Sequence, residues 1–160
     1  MAVQYMESIR RRYEELGYAP YRWFHADSPP PFAPLRKPLA ESKLGVVSTS
    51  GAYAVGQRAF HYKDDTSIRK IAKDTSPADI HFSHITENYL ENPRKDPNCI
   101  LPITAVNEAA ASGRIGELAP ELLTCMGGIY SQRRVREELI PELVGEFQRQ
   151  AVDTVLLVPM

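Results

Sequence analysis

The chain has 160 residues, 43% apolar and 24% charged, the balance of an ordinary globular protein with one expected domain. A formal net charge of -1 gives no field to attract nucleic acid or an anionic membrane, and no apolar run reaches the roughly 20 residues that a membrane-spanning helix needs. Cys99 and Cys125 read as free thiols of a reducing compartment. The acid-containing start is unlike a signal or transit peptide, so a cytoplasmic protein is expected.

Val3, Met6, Ile9, Tyr13 and Leu16 recur at helical spacing before Gly17, which predicts an opening amphipathic helix. Its basic triplet Arg10-Arg11-Arg12, matched by Glu7, Glu14 and Glu15, reads as a solvated face. Prolines then crowd the stretch from Pro20 to Pro38, excluding helix and central strand, while Trp23, Phe24 and Phe32 distinguish it from a disordered linker. Residues 1–43 therefore read as a helix and an extended proline-rich arm, and 44–160 as an α/β domain.

Leu44 to Ser48 is the first predicted strand, and it runs into the small-residue turn Ser48-Thr49-Ser50-Gly51-Ala52. Gly51 permits positive φ, and the hydroxyls and amides of this turn suit an anion nest, with an ordinary strand-to-loop turn as the alternative. The polar stretch Lys63 to Ser76 reads as a separator. Asp79 to Ser83 is the second strand, leading to His84-Ile85-Thr86-Glu87-Asn88. A helix from Thr104 to Ser112 follows, capped by Thr104 and Gly113. Leu118 to Thr124 is the third strand, with Pro120 at its edge or start, and it ends in Cys125-Met126-Gly127-Gly128. The last helix, Ser131 to Gln150, puts Val135, Leu139, Leu143 and Phe147 on one face, with Pro141 kinking or splitting it. Val152 to Met160 closes the chain as a buried parallel strand. The expected class is α/β, with a Rossmann-like, mostly parallel sheet and flanking helices.

His81 and His84 have H-x-x-H spacing, but on a strand they point to opposite faces, so no metal site is expected. His84 lies at a strand's carboxyl end, where a pocket forms in open α/β sheets, and reads either as a site residue or as a structural hydrogen-bonded histidine. Cys99 and Cys125 lack the adjacent base or cations of an activated thiolate; Cys125, at a strand end, is the better placed catalytic candidate. Asp64 and Asp65 are expected to be solvated. Gln132-Arg133-Arg134 reads as a surface helix face, or as a site for a carboxylate or a neighbouring subunit.

Taken in order, TSGAY after a strand, SHITEN, DPNCILP, SGRIGELAP, CMGG and the closing VDTVLLVP resemble the amino-terminal part of the selenoprotein B family of glycine, sarcosine, betaine and D-proline reductases. The likeness is strongest to the D-proline reductase selenoprotein subunit and its stand-alone relatives, and it runs from about Pro31 to the end. The resemblance implies a redox-active selenocysteine or cysteine just after the strand VDTVLLVP, hence immediately beyond Met160. The expectation is a truncation at a selenocysteine codon that leaves this chain inactive and without a cofactor of its own.

His84, Asp96, Asn98, Cys99, Gly113, Pro120, Met126 and Gly127 match recurrent positions of the family, where they shape the pocket. Two departures stand out: SHITEN replaces a loop richer in glycine or aspartate, and Cys125 stands where the family often has an aromatic residue. The resulting expectation is a thiol- or selenol-dependent reductase that cleaves a carbon-heteroatom bond of a small substrate, with Ser50, Gly51, His84, Asn98, Cys99, Met126 and Gly127 binding that substrate. A thiol donor would restore the oxidised pair, and the protein would be a homo-oligomer or a subunit of a reductase complex. The alternative is a non-catalytic module that binds a small anion or serves assembly.

Overall fold

The computed structural model describes residues 4–20, 24–31 and 33–160, in two compact units, Met1–Pro34 and Leu35–Met160. Val3, Trp23 and Phe32, which the sequence places on the helix face and the arm, lie outside the described residues. In the first unit, α1 (Tyr5–Glu15) carries the ion pairs Arg11–Glu7 and Arg10–Glu14, each at 3.0 Å and four residues apart. Gly17 ends it at φ +76, with its amide on the Glu14 carbonyl and the Tyr18 amide reaching back to Tyr13. This is a Schellman stop, as a glycine at that position allows. None of its side chains is buried.

The second unit is a mixed α/β structure around β1 (Lys43–Ser48). β7 (Thr154–Val158) pairs with it in parallel from Leu44↔Thr154 to Ser48↔Val158 and takes one edge. β5 (Glu117–Leu118) and β6 (Glu121–Thr124) follow each other along the other edge, both parallel, through Leu44↔Leu118 and Val47↔Leu123. The predicted third strand is thus one path broken at Ala119-Pro120, because proline has no amide to give the ladder. Beyond β6 lies β3 (Arg69–Ala72), antiparallel, with Ile71↔Leu122. It falls within the stretch read as a polar separator: only Ile71 of its four side chains is buried, so its sequence carries little strand pattern.

A second correction concerns Asp79 to Ser83. The strand there, β4 (Ile80–Phe82), pairs antiparallel with β2 (Ala52–Ala54) in a separate two-stranded ribbon rather than joining the parallel sheet. The closing strand is also less enclosed than expected. It forms an edge, with Leu156 38% and Leu157 70% exposed.

Side-chain alternation along β1 splits the core between two faces. Leu44, Val46 and Leu122 join Ile71, Leu101, Ile103 and Val106 on the side of α3 (Ile103–Ala111). Val47 and Leu123 join Cys125, Leu139, Leu143 and Phe147 on the side of the last helix. Strands covered on both faces read as continuous apolar runs, as LGVVS and ELLT do. Each fully buried aliphatic side chain here contributes about 1.5–3 kcal/mol.

α3 begins where the Asn98 side chain accepts the Thr104 amide at 2.9 Å, and Gly113 follows its end at φ +73. A short helix, α2 (Glu91–Lys95), precedes it. The last helix is split as Pro141 predicts: α4 (Gln132–Arg134) passes through a π turn, Val135–Leu139, into α5 (Ile140–Arg149). Proline removes one donor and crowds the preceding turn, and the wider turn absorbs both. No helix among the described residues is long and apolar enough to cross a membrane.

Gly45 is what lets the last helix approach β1. A Cβ there would meet the Phe147 ring at 2.7 Å and Val152 at 3.0 Å. Gly45→Ala should lower unfolding stability in urea by about 1–3 kcal/mol, as overpacking does. Combined with Phe147→Leu it should cost less than the two changes summed. Strict additivity would show that the two positions do not compete for space.

Candidate active site

Because β1, β6 and β7 are parallel, their carboxyl ends open at one end of the sheet. Backbone hydrogen bonds draw the loops that leave them together. The Thr49 amide donates to Val158, the Met160 amide to Thr49 Oγ1 at 2.8 Å, and the Gly51 amide to Cys125 at 2.9 Å. Ser50 and Met126 form an isolated antiparallel bridge, and the Ser83 amide donates to Gly51 at 3.0 Å, which adds the loop after β4. Ser48 Oγ donates to the Ile100 carbonyl at 2.6 Å and ties in the turn that carries Asn98 and Cys99.

This convergence is too close for side chains. A Cβ on Gly51, at φ +64, would lie 2.2 Å from the Ser83 carbonyl oxygen. One on Gly127 would lie 2.7 Å from the Thr49 carbonyl oxygen and 3.0 Å from both His84 Nε2 and the Met160 carbonyl oxygen. The predicted residues Ser50, Gly51, His84, Met126 and Gly127 are therefore neighbours where the loops from the strand ends converge. Ser50 Oγ is buried there with no hydrogen-bond partner among the described residues.

His84 is the ionisable group of this cluster and is 5% exposed. Its Nδ1 lies 3.1 Å from the Thr86 amide and 2.6 Å from Thr86 Oγ1, and its Nε2 lies 3.2 Å from the Gly127 amide. Burial holds the ring's pKa below its usual value, outweighing the Thr49 carbonyl and Glu87, which favour the charged form. The imidazole is consequently neutral at pH 7. Such a group can accept or deliver a proton without carrying a resident charge.

The remaining candidates lie apart from this cluster. Asn98 is engaged on both ends of its amide, with Nδ2 on Asp96 Oδ1 at 2.9 Å and Oδ1 accepting the Thr104 amide, so it builds the start of α3. Cys99 is exposed, and desolvation, followed by the Asp96 carboxylate, pushes its thiol up. Cys125 is 1% exposed among Val47, Leu123 and Leu139, and burial pushes its thiol up to about 12. Both thiols are held protonated at neutral pH. His81 faces away, exposed, against the Tyr53 ring at 5.9 Å.

Asp64 and Asp65, expected to be solvated, are structural acceptors instead. Asp64 Oδ1 takes the Tyr130 and Ser131 amides at 2.7 and 3.1 Å, so the start of the last helix already faces a carboxylate of this chain. Asp65 accepts the amides of His61 and Ser67. Arg134 bonds Glu138, the Asp64 carbonyl and Thr66 Oγ1, which closes the loop onto the helix. Thr49 and Thr86 are the contributors that sequence reading passed over singly. Thr49 stood within the serine- and threonine-rich turn, and Thr86 had no signal beyond its place two residues after His84.

The depressed pKa of His84 gives a stability prediction with a definite sign. The unfolded chain takes up this proton near pH 6.5 and the folded chain only at lower pH, so the contribution is complete above about pH 6.5 and is lost as pH falls through the folded value. Urea midpoints should decline between about pH 6.5 and 5, above the range in which the carboxylates titrate. His84→Gln should flatten that slope, and an unchanged slope would remove His84 as its source.

No family model matches the chain, and no solved structure matches it. It is 33% identical over 129 residues to the D-proline reductase subunit gamma of Acetoanaerobium sticklandii. The aligned part is 81% of this chain and 53% of that protein, so the chain spans about half the length of the curated relative it matches. By sequence, then, the chain is related to the reductase family of that subunit over most of its own length.

Proposed function

We propose that the chain is the amino-terminal part of a thiol- or selenol-dependent reductase on a Rossmann-like platform, acting on a small amine such as D-proline. The observation that carries this reading is the 33% identity to the D-proline reductase gamma subunit over 129 residues, 81% of this chain. The geometry supports it. A cysteine or selenocysteine joined to Met160 would leave β7 beside Gly127 and His84, whose neutral ring could take the proton of a thiol or selenol to leave its anion.

That anion would attack the substrate as its carbon-nitrogen bond breaks, the bonding pair leaving with nitrogen, which takes a proton. A second thiol would then release the reduced product and leave a selenium-sulfur or disulfide pair. A dithiol donor would return two electrons and two protons. Companion subunits are part of this reading, since the relative is itself named as one subunit.

A non-catalytic module that holds a small anion at the Ser50-Gly51 and Met126-Gly127 loops is less well supported, because the Gly51 amide already donates to the Cys125 carbonyl and the Gly127 amide to His84 Nε2. The test is to read the coding sequence past Met160 and express the extended protein with its companion subunits. Dithiol-dependent cleavage of D-proline or a related small amine should appear with the extended form and be absent from the 160-residue chain. No activity in the extended assembly, or equal activity of both forms, would overturn the reading.

A further inference from the structure

His84 faces more donors than a neutral imidazole can accept. The Thr86 amide approaches Nδ1 and the Gly127 amide approaches Nε2, yet a neutral ring has one N–H and one nitrogen lone pair. Each tautomer satisfies one amide and finds an acceptor for the ring proton. With the proton on Nε2, Nδ1 accepts from Thr86, and the N–H lies on the Gly127 side of the ring, where the Thr49 carbonyl oxygen also packs. With the proton on Nδ1, Nε2 accepts from Gly127, and the N–H points to Thr86 Oγ1 at 2.6 Å. The two forms differ in which end of the ring carries the proton. One end lies beside Gly127 and the Met160 carbonyl, and the other meets Thr86, an exposed residue.

We infer that His84 and the Thr86 hydroxyl form a proton relay between the strand-end cleft and solvent, working by exchange of the two imidazole tautomers. The reductase reading enters only in naming the proton donor, a thiol or selenol. Starting from the Nδ1–H form, the S–H or Se–H bond breaks, its electron pair stays on sulfur or selenium, and its proton goes to Nε2. The Nδ1 proton passes to Thr86 Oγ1 as the hydroxyl releases its own proton to water. One proton has crossed from cleft to solvent and the ring is neutral before and after. Burial disfavours a ring that simply holds both protons, and Glu87, the carboxylate acting on it from the same loop, does not overcome this.

The test is nitrogen NMR of the 160-residue chain labelled at histidine, between about pH 5.5 and 8. Both ring nitrogens of His84 should resonate between the pyrrole-like and pyridine-like limits, the mark of two exchanging tautomers. Thr86→Val keeps the backbone amide and removes the hydroxyl, so it should leave the Nε2–H form alone, and Thr86→Ser should restore exchange. A single tautomer in the unaltered chain, or exchange indifferent to Thr86→Val, would overturn the relay whatever the protein reduces. In the extended assembly, Thr86→Val should slow turnover at least about tenfold and move the acid limb of the rate profile to higher pH, with Thr86→Ser close to the parent. An active assembly that ignores Thr86→Val also overturns the relay, whereas an inactive assembly with exchange intact overturns the reductase reading alone.

Discussion

The structure depends on β1 being enclosed on both edges and both faces. Five residues of β1 pair with β7 in one continuous parallel register, and the opposite edge is shared by β5 and β6. Every side chain from Leu44 to Ser48 is then taken from water, so a one-residue slip would exchange the two core faces and bring Leu44 and Val46 against the last helix. That register carries consequences at the far end. It sets Val158 beside Ser48, which brings the Met160 amide to Thr49 Oγ1 and the end of β7 to the converging loops.

The cleft is a product of backbone proximity more than of side-chain chemistry. Gly51, Gly127 and Gly128 stand where any Cβ would strike a neighbouring segment, the Ser48 hydroxyl donates to the Ile100 carbonyl of an adjacent turn, and the Thr124 hydroxyl to the Ala52 carbonyl of β2. Into this frame the chain places one neutral imidazole. A buried histidine is tolerated there because both nitrogens meet hydrogen-bonding groups, although the two amides compete for a single lone pair. The outcome is an ionisable group without charge, brought from the antiparallel ribbon to lie beside the parallel strand ends, where open α/β sheets gather their reacting groups.

Relatedness to a D-proline reductase subunit and the geometry of the strand ends bear on function separately. Sequence identity relates the chain to a D-proline reductase subunit but names no atom in it, while the structure describes converging strand-end loops without naming a substrate. Cys125 illustrates why both are needed: it lies at a strand end in the sequence, yet its sulfur packs inside the core with a thiol held protonated. Asp64 does the same for the start of the last helix, where the chain supplies its own carboxylate.

Patterns set by local periodicity were legible in the residues alone. The runs LGVVS and TVLLV, the stop at Gly17, the helix ending before Gly113 and the break near Pro141 all follow from rules that act over a few residues. Ser50, Gly51, His84, Met126 and Gly127 share a place just after apolar runs and lie together, whereas Asn98 and Cys99, read into the same set, stand apart at the turn before α3. The edge strand RKIA was not legible, since it buries one side chain and its pairing with β6 comes from about 50 residues away in the chain. Asp64, Thr49 and Thr86 gained their roles from partners that no spacing links to them, Asp64 from the loop before the last helix, Thr49 from Met160 and Thr86 from a ring whose other nitrogen meets Gly127. Sequence by itself determined which segments form elements and where parallel strands end, because propensity and alternation are local. Tertiary structure decided which ends meet and which titratable group is buried among them, because sheet register and loop convergence are long-range.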